Sequence, residues 1–156
     1  MALQQMRCQM VIMRCRKLTI GIAALFAVGC ATSQDIVINP ANAGHSLKSA
    51  YLVAHGDKSS DVDAAIQREL FRRGIAVSAG PDVRQVESAD AIIKFVDVWN
   101  WDMAMYLRSL DIEIYDAKSG VLLASASWKN SAMHGFHGMD GVVSELVDGI
   151  LKKLGH

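Results

Sequence analysis

Residues 13–30 constrain this chain more than any other segment. Met13-Arg14-Cys15-Arg16-Lys17 makes a short basic head, and Leu18 to Gly29 follows as twelve uncharged, mostly apolar residues that turn small before Cys30. Such a run falls short of the ~20 residues that a helix needs to cross a hydrocarbon core. It therefore reads as an export signal to be removed, not as a membrane span to be kept. Its removal leaves about 127 residues, Cys30 to His156, for the fold, which suits one domain around one core. Cys8 and Cys15 leave with the signal, so Cys30 alone of three cysteines remains and no disulfide can form within the folded part.

Gly29 before Cys30, with Ala27 and Leu25 upstream, resembles the lipobox of bacterial lipoproteins. In that family signal peptidase cuts before the cysteine, and the cysteine carries the lipid. The usual leucine three residues before the cysteine is replaced here by Ala27. The resemblance implies cleavage between Gly29 and Cys30 and lipidation of Cys30. The thiol would be consumed as a thioether, which removes a cysteine nucleophile or metal thiolate from consideration. One acyl chain holds a protein only marginally and two or more hold it firmly; the three chains of such lipoproteins imply permanent attachment. Ala31 in place of an aspartate points to the outer membrane, on its periplasmic face. Met1 to Ile12 reads as superfluous, since a start at Met13 supplies a complete basic head.

Net charge depends on where the chain is cut. Arg7, Arg14, Arg16 and Lys17 precede Cys30, whereas all sixteen acidic residues follow it, leaving twelve basic residues against sixteen acidic ones and a charge of −4. Without a basic run longer than Arg72-Arg73, such a chain is a poor nucleic-acid binder and offers no polybasic patch to anionic lipid. Three regions follow: a signal at 1–29, a lipidated tether at 30–48 rich in small and polar residues, and a domain at 49–155. Within the tether, Ile36-Val37-Ile38 could form a short edge strand.

Hydrophobic periodicity organises the domain. Ser49 to His55 is a short apolar run, closed by Gly56-Asp57, and reads as a buried strand. Ser59 or Ser60 then caps a helix with Asp61 and Asp63 in its first turn, an apolar stripe of Val62, Ala65, Ile66, Leu70 and Phe71, and an end at Gly74. Ile75 to Ser78 is a second strand. Ala91 to Trp101 is a third, rich in β-branched and aromatic residues, although Asp97 shares a face with Ile93 and Phe95, which points to a bulge or altered surroundings. Leu110, Ile112 and Ile114 alternate with polar residues in a fourth. Asp116 to Gly120 reads as a hairpin loop, and Val121 to Lys129 as a fifth strand. Asp140 is placed to cap a last helix with Val143, Leu146, Val147, Ile150, Leu151 and Leu154 on one stripe. The expected fold is α+β, in the order β-α-β-β-β-β-α, with four to five antiparallel strands and two helices on one face.

Phe95-x-Asp97-x-Trp99-x-Trp101-Asp102, then Tyr106-Leu107, Asp116 and Ser119-Gly120, with the element order, resembles small Gram-negative outer-membrane lipoproteins of uncharacterised function. The resemblance spans Tyr51 to Leu154 and implies a fold without assigning an activity.

Three candidate sites emerge. Trp101, Asp102, Tyr106 and Tyr115 could form a partner surface, with Trp99 expected in the core. Met133, His134, Phe136, His137 and Met139 could make a loop for copper-type ions, since imidazole and thioether suit soft or borderline metals, with Met103 and Met105 adding sulfur if the loops meet. The glycines at 135, 138 and 141 argue instead for a flexible connector. His55 with Asp57, Ser59 and Ser60 has the ingredients of a hydrolytic triad, but lacks a Gly-x-Ser-x-Gly elbow and reads more simply as a capped turn. The expectation is a non-enzymatic envelope lipoprotein without cofactor, bound to membrane through Cys30, acting on an envelope protein partner and not on nucleic acid.

Overall fold

A computed structural model describes residues 32–42, 44, 46–56, 59–131 and 137–156. The expected signal, Cys30, Asp57, Met133, His134 and Phe136 lie outside the described residues. Among those described, the elements in chain order are β1 (Ser33–Ile38), a 3-10 turn (Pro40–Asn42), β2 (Ser49–Val53), α1 (Ser60–Arg72), β3 (Ala76–Gly80), β4 (Ala91–Asp102), β5 (Ala104–Asp116), β6 (Leu122–Lys129) and α2 (Met139–Leu154). From Ser49 onward this is the expected β-α-β-β-β-β-α order, and the class is α+β.

Six strands form one sheet in the spatial order β1-β6-β5-β4-β2-β3. The pairs β4–β5, β5–β6 and β1–β6 are antiparallel, but β2 runs parallel to both β3 and β4. The sheet is therefore mixed, where four to five antiparallel strands were expected. The reason is local: α1 carries the chain back across the sheet between β2 and β3, and a helical crossover is what parallel neighbours require.

Both helices pack on one sheet face. Their stripes (Val62, Ile66 and Leu70 on α1; Val143, Leu146 and Ile150 on α2) join Leu52, Ile93, Leu110, Ile112 and Ala126 in one buried cluster, whereas Phe71, expected on the α1 stripe, faces outward and is exposed. Arg68–Asp140 and Arg73–Asp148 ion pairs, each at 3.1 Å, tie the helices together. Asp140 thus lies in the first turn of α2, while Gly138 occupies the cap position expected for it. On the opposite face, Val53, Ala89, Ile92 and Ala117 make a smaller cluster with Tyr51, Val86 and Tyr115. It covers one end of that face and leaves Val96 and Val98 exposed at the other.

The supposed tether is largely structure. β1 pairs along its length with β6, and Leu47 is fully buried. A Cβ added at Gly149 would come within 2.2 Å of Ile36 Cδ1, so α2 lies directly on this strand. The Lys153 ammonium donates to the carbonyl of Ile36. Within the span expected as a tether, 30–48, Ser33–Ile38 is thus a strand of the sheet, with Ile36 and Ile38 packed against the core.

Candidate functional site

The β4–β5 hairpin runs past the end of the sheet, and a bulge sets where the extension begins. Val98 pairs with Ser109 and Trp99 with Leu107, so Arg108 has no partner across the hairpin. Arg108 is pinned to the end of β6 instead: its guanidinium donates to the carbonyls of Asn130 and Ser131, each at 3.3 Å. The Asn130 side-chain amide donates to the carbonyl of Leu107 at 3.2 Å. Beyond the bulge, Asn100 faces Tyr106, Trp101 faces Met105 and Asp102 faces Ala104. Met103 closes the turn at φ 57°, a conformation that costs an L-residue about 1–2 kcal/mol. Trp101 is 71% exposed, Met103 87% and Met105 55%.

Asp97 explains the irregular alternation of β4. It accepts hydrogen bonds from the Ser59 hydroxyl at 2.8 and 3.0 Å and from the Trp99 indole at 2.6 Å. A carboxylate on the core-facing side is tolerable because both donors satisfy it. Trp99 is half-buried and packs against the core, as expected. The adjoining expectation, a bulge near Asp97, is met one residue further on.

The proposed partner residues separate into two places. Trp101, Asp102 and Tyr106 share the hairpin extension. Tyr115 lies ten residues along β5 from Met105, roughly 33 Å away, and packs with the smaller cluster. Its hydroxyl donates to Glu113 at 2.6 Å, and that hydrogen bond, with burial, pushes the phenol up to about 12.

His55 and Ser59 do not form a nucleophile–base pair here. The Ser59 hydroxyl is directed at Asp97, and the His55 ring lies 4.3 Å from the Phe95 ring. The backbone N–H of His55 donates to Asp63 at 3.1 Å. On the loop read as a metal candidate, His137 meets Trp128 edge-on at 5.7 Å, and Met139 packs against the core. Among the described residues no group of three or more His, Cys, Asp and Glu is placed to hold a metal. His137, Trp128, Gly141 and Glu145 line a cleft of about 200 Å³ beside Thr32, where the chain enters the fold.

Two arrangements had only weak signals in the sequence. Asp90 accepts from the backbone N–H groups of Lys48 and Ser49, each at 2.9 Å, and so fixes the start of β2 beside β4. Glu69 on α1 is buried and accepts from Arg73 at 2.5 Å and Arg72 at 2.8 Å. Arg73 and then Arg72 hold its carboxyl below the usual carboxylate range against the opposing effect of burial. The i, i+3 and i, i+4 spacing could have suggested this second group.

No family model matches the chain, and no curated protein does. Solved structures share its fold. A PelC dodecamer from Paraburkholderia phytofirmans is 18% identical, with 80% of this chain and 98% of that one covered and a TM-score of 0.57. Its L103M variant gives the same identity and coverage at 0.54. A minor lipoprotein from Acinetobacter baumannii, at 12% identity over 69% of this chain and 92% of that one, superposes at only 0.34, too loosely to inform the fold. At such identities the PelC likeness defines a fold class, a small α+β domain with two helices on a six-stranded sheet.

Proposed function

We propose that this protein is a non-enzymatic envelope lipoprotein, anchored by lipid on Cys30 to the periplasmic face of the outer membrane and acting through protein contacts. The observation that carries this reading is the short lead-in: the chain passes from Cys30 into β1 within three residues, and β1 belongs to the sheet. A lipid at that position would hold the whole domain at the membrane surface instead of trailing it on a long leash. The uncovered sheet face, with Val96 and Val98 exposed and Tyr106 beside them, supplies a surface for protein contacts. The PelC neighbour is a dodecamer, so a second copy is the first partner to test for.

Two measurements test the proposal. Metabolic labelling with a palmitate analogue should mark the wild type and leave Cys30→Ala unlabelled; equal labelling would sink the anchor. A photo-cross-linker placed at Val98 should yield a higher-mass adduct in intact envelopes, and one at the exposed Arg68 on α1 should not. No adduct from Val98 would remove this face as the contact surface.

A further inference from the structure

The pairing register places the chain entry and the exposed hairpin at the same end of the sheet. Ser33 pairs with Lys129, Lys129 with Ser109, and Ser109 with Val98, so these four residues form one rung across four strands. From that rung β1 leads back towards Cys30, three residues away and at most about 10 Å along an extended chain. From the same rung the hairpin runs five residues outward, from Val98 to Met103, or roughly 16 Å along the strand. The sheet's twist, ~20–25° per strand, swings the hairpin sideways but does not turn it to the other end.

We propose that the β4–β5 tip is a membrane-contacting wedge, in which Trp101, Met103 and Met105 enter the headgroup region of the bilayer that holds Cys30. The inference rests on lipidation of Cys30. The lead-in is shorter than the hairpin's overhang, so a domain held by that cysteine at the interface brings the tip to the interface as well. The exposed side chains suit that depth. Tryptophan is favoured at headgroup level, where its ring can be buried while its N–H stays hydrated, and thioether side chains adapt to irregular apolar surroundings. Asp102 and Asn100 alternate with Trp101 and project from the other side of the hairpin, which limits entry to the hydrated headgroup layer and keeps the tip out of the hydrocarbon core. The bulge at Arg108, pinned to Asn130 and Ser131, braces the extension where it leaves the sheet.

The experiment uses the full, processed protein reconstituted in vesicles of phosphatidylethanolamine and phosphatidylglycerol whose acyl chains are brominated at the carbons nearest the glycerol, so that the quencher lies at the headgroup boundary. Bromine should quench the tryptophan emission of the wild type, and Trp101→Phe should lose at least half of that quenching, because Trp128 is buried and Trp99 is turned towards Asp97. Circular dichroism should show both proteins equally folded. Palmitate-analogue labelling of the same preparations separates the two readings. Labelled protein with equal quenching in wild type and Trp101→Phe, or with none, overturns the wedge and leaves the anchor standing. Unlabelled protein overturns the anchor, and the wedge with it. Trp101 shielded from aqueous acrylamide but untouched by bromine would mean that protein covers the tip, which also overturns the proposal.

Discussion

Asp97 sits between Phe95 and Trp99 on the face of β4 that carries the core, where an uncompensated carboxylate would be costly. Its two donors come from different distances, Trp99 from two residues away and Ser59 from the start of α1. Ser59→Ala should therefore lower stability by about 1.5–3 kcal/mol, the range for a hydrogen bond to a charged group. Trp101→Ala, two residues beyond Trp99, should change stability by less than about 0.5 kcal/mol, as is usual for an exposed site. Urea denaturation of the two variants checks both values. Equal stability of Ser59→Ala and wild type would mean that solvent serves Asp97 just as well. Severe unfolding of Trp101→Ala would place that ring in the core.

At the scale of elements, α2 joins most of the packing together. Its apolar stripe is buried from Val142 to Leu154, and Gly149 lets it approach β1. Ile150→Ala should cost about 2–5 kcal/mol, a large part of the ~5–15 kcal/mol that holds a small domain, and a melting curve would show it. Between the helices, Glu69 links Arg72 and the C-cap residue Arg73 of α1 to Ser144 of α2. Its folded pKa lies below 4.5, chiefly through the Arg73 hydrogen bond. The ionised form is therefore the one that favours folding. That contribution is present above the unfolded pKa and is lost as pH falls through the folded value. Stability measured from pH 7 downward should decline below about pH 4.5, and Glu69→Gln should make the decline shallower while lowering stability at pH 7. An unchanged acid profile in Glu69→Gln would assign the decline to other carboxylates.

For the whole molecule, the sheet has to begin at Ser33 to be complete. A soluble chain starting at Ser49 would lose β1, expose the edge of β6 and uncover the part of α2 around Gly149. It should melt well below a chain starting at Ala31, and its bare edge should promote aggregation. Thermal unfolding and light scattering of the two chains decide the point; equal behaviour would restore residues 32–48 to the status of a tether.

Elements whose signal is local are legible in the amino-acid order alone. The stripes of α1 and α2, the alternation of Leu110, Ile112 and Ile114, the turn at Gly120, the core position of Trp99 and the α+β class all follow from spacing within short windows, since each side chain's direction is set by its own helix or strand. The irregularity at Asp97 was also legible, though its donor Ser59 was not. Which strands become neighbours is settled by the assembled fold. β1 finds β6 across some ninety residues, Asp90 grips Lys48 and Ser49 from more than forty residues away, and β2 lies parallel to β4. The fold also decided that Trp101 leaves the sheet at the end where β1 begins, while Tyr115 stays at the other. Periodicity encodes which face of a segment is apolar; it does not encode which distant segment will cover that face, because the pairing is chosen by the free energy of the assembled core.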